Sequence, residues 1–239
     1  PRIIAADEGD NPGDIQIAIR GNVHNAGPKT PRRFIQVLNR GDLPEIAPKA
    51  SGRLELANWM ASPEHPLTAR VFANRVWHHL FGKGLVASVD NFGHMGRLPT
   101  NQALLDHLAG RFVENGWSMK KLIREIVLSR TYQLSTATGA QAKVDLENEL
   151  HWRQNRRRLQ AESIRDAILS VSGQLDKTVG GPTIKAGTSI EYGYKFDDTR
   201  RSLYTPVFRN TPLEILAVFD FADPNLVVGE RTTSSVPTQ

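Results

Sequence analysis

Apolar residues recur at helical spacing in a run of blocks through the middle of the chain, each closed by a residue that ends helices. Leu54, Leu56, Ala57 and Met60 form one short face that stops at Ser62-Pro63, because the residue before a proline avoids the helical region. Val71, Phe72, Val76 and Leu80 form a second, ended by Gly82, which can take a left-handed cap. Leu104, Leu105, Leu108 and Phe112 form a third, opened by Thr100 or Asn101 and closed at Asn115-Gly116. Ser118 caps a fourth, whose stripe is Leu122, Ile123, Ile126 and Val127. A further helix carries Leu159, Ile164, Ala167, Ile168 and Val171 up to Gly173, and Pro212 suits the first turn of a last one through Leu213, Leu216 and Phe219.

The flanks have no such period. Ile15, Ile17 and Ile19 alternate with Gln16 and Ala18, which predicts one short strand. Residues 27–48 hold Pro28, Pro31, Pro44 and Pro48 and predict extended chain without a regular element. Leu203-Tyr204 and Val207-Phe208 predict a C-terminal strand that pairs with Ile15–Ile19. The expected fold is mainly α: a compact helical bundle over 51–175, an irregular N-terminal arm over 1–50, and an irregular segment over 176–239 with a strand and a helix, all packed as a single domain.

Composition narrows the chemistry. Among 239 residues, 39% are hydrophobic, enough for a real core, and the charged share of 23% is ordinary. No apolar stretch approaches the roughly 20 residues of a bilayer span, and no secretion signal is visible. The absence of cysteine excludes disulfides, a thiol nucleophile, thiolate metal sites and covalent haem attachment within these residues. The net charge of +5 is scattered along the chain.

Several motifs carry a resemblance. Ser51-Gly52-Arg53-Leu54-Glu55-Leu56-Ala57, Pro66-Leu67-Thr68-Ala69-Arg70-Val71, Asn74-Arg75-Val76-Trp77 and Phe81-Gly82-Lys83-Gly84 come first. Asn155-Arg156-Arg157-Arg158-Leu159, Ile164-Arg165-Asp166-Ala167, Gly180-Gly181-Pro182, Arg200-Arg201-Ser202, Phe219-Asp220 and Pro237-Thr238-Gln239 follow in order. Together, over about residues 20–239, they resemble the C-terminal domain of unknown function of the planctomycete cytochrome C domain-containing proteins. Two positions depart from that pattern: Ala222 stands where a second proline is usual and Asn101 where a histidine is common. The family usually continues past this Pro-Thr-Gln into another apolar helix, so the resemblance implies a shortened chain. It also implies a large, exported, multidomain parent, periplasmic or extracellular, with a haem c module in a neighbouring domain and no cofactor in this one. It implies no established activity.

Three constellations offer chemistry. Arg158, Glu162 and Asp166 stand at successive i,i+4 positions with Arg165 beside them, so one helical face would alternate charge. Two carboxylates flanked by arginines suit acid/base work or ligand anchoring; a salt-bridge ladder is the plainer account. His78 and Arg75 follow Asn74 on the second helix, but no zincin spacing accompanies the histidines, and no metal site is expected. Arg20, His24 and Asn25 crowd a turn after the first strand, a density suited to a polyhydroxy ligand or an anion and equally to ordinary turn chemistry. Arg157 sits in a basic run too short, and too soon met by acidic residues, for nucleic-acid binding.

The candidate catalytic residues are thus His24, His78, Glu162 and Asp166, and the candidate ligand contacts Arg20, Asn25, Asn74, Arg75 and Arg157. No recognised catalytic motif accompanies them. The resemblance implies an accessory or interaction domain whose partners are other domains of its parent chain, associated with polysaccharide. The alternatives are a glycan-active enzyme with an Arg/His/carboxylate pocket and a docking module for a haem c domain. Docking predicts exposed apolar surface, and glycan binding predicts exposed aromatic faces at Trp152, Tyr192 or Tyr194.

Overall fold

The structure, a computed structural model, describes residues 9–39, 44–188 and 191–235; the Pro237-Thr238-Gln239 motif lies outside them. Among the described residues there are six α-helices and one two-stranded sheet. Helix accounts for 33% and strand for 5% of residues, an ordinary helix share, so irregular chain is the commonest conformation. No described helix is long and apolar enough to cross a membrane.

The described residues fall into two compact units. The first takes the chain up to Ala87 together with Phe92–Leu134. It opens with strands β1 (Ile15–Ala18) and β2 (Ala26–Thr30), an antiparallel hairpin that pairs Ile15 with Thr30 and Ala18 with Ala26. This corrects the expected partner of Ile15–Ile19: residues Ser202–Tyr204 form a short 3-10 turn instead of a strand. The local pairing has the smaller loop to close. Arg20 at φ 53° and Gly21 at φ 76° reverse the chain, and Asn25 accepts the Ile19 N–H at 3.0 Å.

Helices α1 (Arg53–Met60), α2 (Thr68–Phe81), α3 (Gln102–Glu114) and α4 (Met119–Val127) follow. The caps read from the sequence hold. Asn101 accepts the Leu104 N–H at 2.9 Å and Ser118 accepts that of Lys121 at 3.4 Å, contacts worth about 1 kcal/mol each. Gly82 closes α2 at φ 83°. The core lies between α2, α3 and α4, where Phe81, Leu85, Leu105 and Leu122 are the most deeply buried large apolar side chains and Phe72 stacks on Phe112 at 4.7 Å. α1 is different: it buries no residue, and its expected apolar face of Leu54, Leu56 and Met60 is exposed.

The second unit takes Ser88–Asn91 and the chain from Ser135 onward, with helices α5 (Ala161–Val171) and α6 (Glu214–Val218). α5 begins after Arg158 and Leu159, so the expected ladder loses its first member. Its burial is also inverted. Arg165 and Ala161 are the buried residues, while Ile168 and Val171 are exposed. Of the expected apolar stripe Ile164 is half-buried, while Ala167, Ile168 and Val171 in the last turns face outward; the polar partners engage the helix at Glu162, Arg165 and Asp166.

Candidate functional site

Those partners build an extended polar network around α5. Glu162, Arg165 and Asp166 share one side of α5 at i, i+3 and i+4 spacing. Arg165 is 8% exposed, and its guanidinium donates to the carbonyls of Arg200 (3.0 Å) and Asp198 and to Ser202 Oγ (3.2 Å). Asp166 accepts from both the backbone N–H and the hydroxyl of Ser202, each at 2.7 Å. The hydroxyl thus bridges an arginine and a carboxylate.

The network continues into the irregular chain. Asp198 pairs with Arg200 at 2.7 Å, and Arg200 also donates to the carbonyls of Gly180 (2.8 Å) and Pro182 (2.9 Å) while its guanidinium lies 4.7 Å from the Tyr204 ring centre. The Gly180 N–H donates to Tyr204 Oη at 2.8 Å. Gly180 and Gly181 hold φ of 90° and 82°, a conformation that side chains disfavour, so the turn presented to Arg200 depends on glycine.

At the start of α5 a second half appears. Glu162 and Arg231 form a two-bonded pair at 2.8 Å, with Arg231 4.8 Å from the centre of Phe221. Arg158, which precedes the helix, reaches Asp220 at 3.2 Å and the carbonyl of Ser234. Asp220, at φ 60°, accepts the Ser234 N–H (2.9 Å) and hydroxyl (2.7 Å). The charges that sequence spacing would pair along one helix instead tie α5 to segments 33 to 76 residues away.

The electrostatics follow from this pairing. Burial alone would raise Glu162, but the hydrogen bonds and charge of Arg231 outweigh it and hold the carboxyl below its ordinary value. The Arg200 hydrogen bonds hold Asp198 low against a smaller effect of burial. Both groups are carboxylates at neutral pH, the opposite of a raised general acid. Since their folded pKa values are depressed, their stabilisation is complete above the unfolded values and is lost as pH falls through the folded ones. Acid titration followed by hydrogen exchange is expected to loosen residues 198–204 and 231–234 below about pH 4. Equal protection of these segments at pH 3 and pH 7 would contradict it.

The other predicted residues lie elsewhere. Arg20, His24 and Asn25 share the β1–β2 turn; His24 is exposed, and its N–H donates to Asn22 Oδ1 at 3.0 Å. Asn74, Arg75 and His78 are on α2. Asn74 is fully buried and its amide pairs with Val86, donating to the carbonyl at 3.0 Å and accepting the N–H at 2.9 Å. Arg75 is exposed, and His78 meets the ring of His79 edge-on at 5.4 Å. Arg157 is exposed in the chain before α5. Among the described residues no three His, Asp or Glu side chains group as a metal site.

Arg165, placed by spacing beside Glu162 and Asp166, is the centre of the network, and Asp198, Arg200, Asp220, Arg231 and Ser234 join it without being among the candidate residues. One signal was present: Asn155–Leu159, Ile164–Ala167, Gly180–Pro182, Arg200–Ser202 and Phe219-Asp220 are motifs of the resemblance, and the network gathers residues from each. A family model described as PSD1, protein of unknown function (DUF1553), matches residues 52–239. No curated protein and no solved structure gives a significant match.

Proposed function

The chain belongs to the PSD1 family of proteins of unknown function, and from that premise we propose that it is an interaction module docked against another domain of the same parent polypeptide. The observation that carries this reading is the inverted burial of α5. Polar contacts to the Arg200 and Arg231 segments fix the helix through Glu162, Arg165 and Asp166, and its C-terminal part leaves Ile168 49% and Val171 88% exposed. Exposed apolar stripes with a fixed orientation mark interaction surfaces. A patch of Ile168 and Val171, one helical turn, presents far less than the roughly 800 Å2 per partner of a stable untethered complex. A covalently linked partner needs no such area, because linkage raises its effective concentration.

The resemblance to planctomycete cytochrome C domain-containing proteins supports the finer reading: an exported parent, outside the cytoplasm, with haem c in a neighbouring domain. Glycan contact is a second reading, favoured by Tyr192, which is 65% exposed. Trp152 offers less, since its indole N–H donates to Asp145 O at 2.8 Å and Arg153 covers its ring. Tyr194 packs edge-on against Phe196 and Phe208.

Carbene footprinting of the 239-residue chain and of the longer parent polypeptide tests the docking. Ile168 and Val171 are expected to label strongly in the chain and weakly in the parent, and V171E is expected to restore labelling of Ile168 in the parent. That variant is expected to change the stability of the isolated chain by less than about 0.5 kcal/mol. Equal labelling in both proteins would overturn the reading.

A further inference from the structure

The start of α2 has an unusual acceptor. Its N-cap position is Leu67, whose side chain has no acceptor, and Pro63 and Pro66 bracket the connection from α1. The first free N–H groups of a helix need partners. His65 supplies one atom for both: Nδ1 accepts the N–H of Thr68 at 3.1 Å and of Leu67 at 3.3 Å, with Thr68 Oγ1 at 2.9 Å. Two backbone donors leave no choice of tautomer. The ring must be neutral with its proton on Nε2.

The same ring holds α1. Trp59 meets His65 edge-on at 4.6 Å and lies 5.4 Å from Phe34, itself buried. Trp59 is the one apolar side chain of α1 that is not exposed. Thus His65 is both the cap of α2 and the seat of α1.

From this geometry we infer that His65 is an acid-sensitive latch, whose protonation releases α1 and the Phe34 segment from the start of α2. A proton on Nδ1 would set an N–H against two N–H donors and a positive charge against the positive end of the helix dipole. The ring would leave and take the seat of Trp59 with it. Of the charged groups on the surrounding elements, Arg70 and Arg32 are engaged elsewhere and none adds to the effect of burial on His65. Glu64 beside the ring is exposed, and Arg53 and Glu55 stand toward the start of α1. Arg70 of α2 is bonded to Pro66 O and to Asp106 of α3, each at 2.6 Å. Before Phe34, Arg32 pairs with Asp14 at 3.0 Å and Arg33 is exposed. Burial therefore governs the imidazole and lowers its pKa below the ordinary value. With the folded value depressed, the latch is closed above the unfolded pKa near 6.5 and opens as pH falls through the folded one.

H65N keeps a good capping oxygen and cannot titrate. Hydrogen exchange of 53–60 in wild type and H65N, compared at equal pH from 7.5 to 4.5, is the test. The protection ratio of H65N to wild type is expected to rise as pH falls, by at most about ten-fold per pH unit, the limit for one proton. A ratio that stays constant with pH would overturn the latch. Should H65N fail to fold, the 15N shifts of the wild-type His65 ring decide: an Nε2–H tautomer supports it and an Nδ1–H tautomer refutes it.

Discussion

Replacing Arg165 with methionine is expected to destabilise the second unit by about 3 kcal/mol or more, the usual cost of removing one member of a buried charged network. Methionine fills much of the volume but donates nothing. The carbonyls of Asp198 and Arg200 lose their donor, Ser202 Oγ loses one of its two partners, and Asp166 keeps only Ser202 and the distant Arg201 at 4.0 Å. R165K restores the charge without the fork that reaches three acceptors, so it is expected to recover less than half of the loss. Hydrogen exchange of residues 198–204 under increasing urea reads the effect where it falls. A change below about 0.5 kcal/mol would mean that the network is ornamental to stability.

A comparable loss is expected in the first unit from G84A. A Cβ at this position would lie 2.5 Å from Val86 O and 2.8 and 2.9 Å from the amide of Asn74. The nearest obstacle is backbone and the other two are the side-chain amide of Asn74, which its pair with Val86 holds in place, so little can give way. Overpacking together with a broken buried hydrogen bond costs about 3 kcal/mol. N74L, of similar size, is expected to cost about as much by leaving the Val86 N–H and carbonyl without partners. The double variant is expected to cost clearly less than the sum, since both changes break the same contact. Thermal unfolding of the four proteins forms the cycle. Additive losses would show that the glycine and the asparagine act separately.

These two sites mark the limit of what the sequence makes legible. Gly82 reads as a helix stop and Asn101 and Ser118 as caps, because each acts on its own neighbours within one turn. Asn74 reads as a ligand contact and instead holds Val86, and nothing local marks Gly84. Their importance comes from an approach across the loop after α2, and no local pattern distinguishes an asparagine that binds a ligand from one that binds backbone. The charges of α5 show the same limit. Spacing pairs Arg158 with Glu162 and Glu162 with Arg165, yet Arg158 lies outside the helix, and partners 62 and 69 residues away take Arg158 and Glu162.

What the sequence determined by itself is the presence of the helices with the caps and stops of α2, α3 and α4, the extended character of Ile15–Ala18, and membership of the family through motifs in a fixed order. Periodicity, capping and proline act over a few residues, and so they survive in a linear reading. On α2, α3 and α4 the predicted faces are the buried ones, and tertiary structure alone decided the faces of α1 and α5. On α5 it reversed the hydrophobic expectation, because a buried arginine with three acceptors and a carboxylate with two donors must face their partners or lose those bonds, whereas Ile168 and Val171 lose less by facing out.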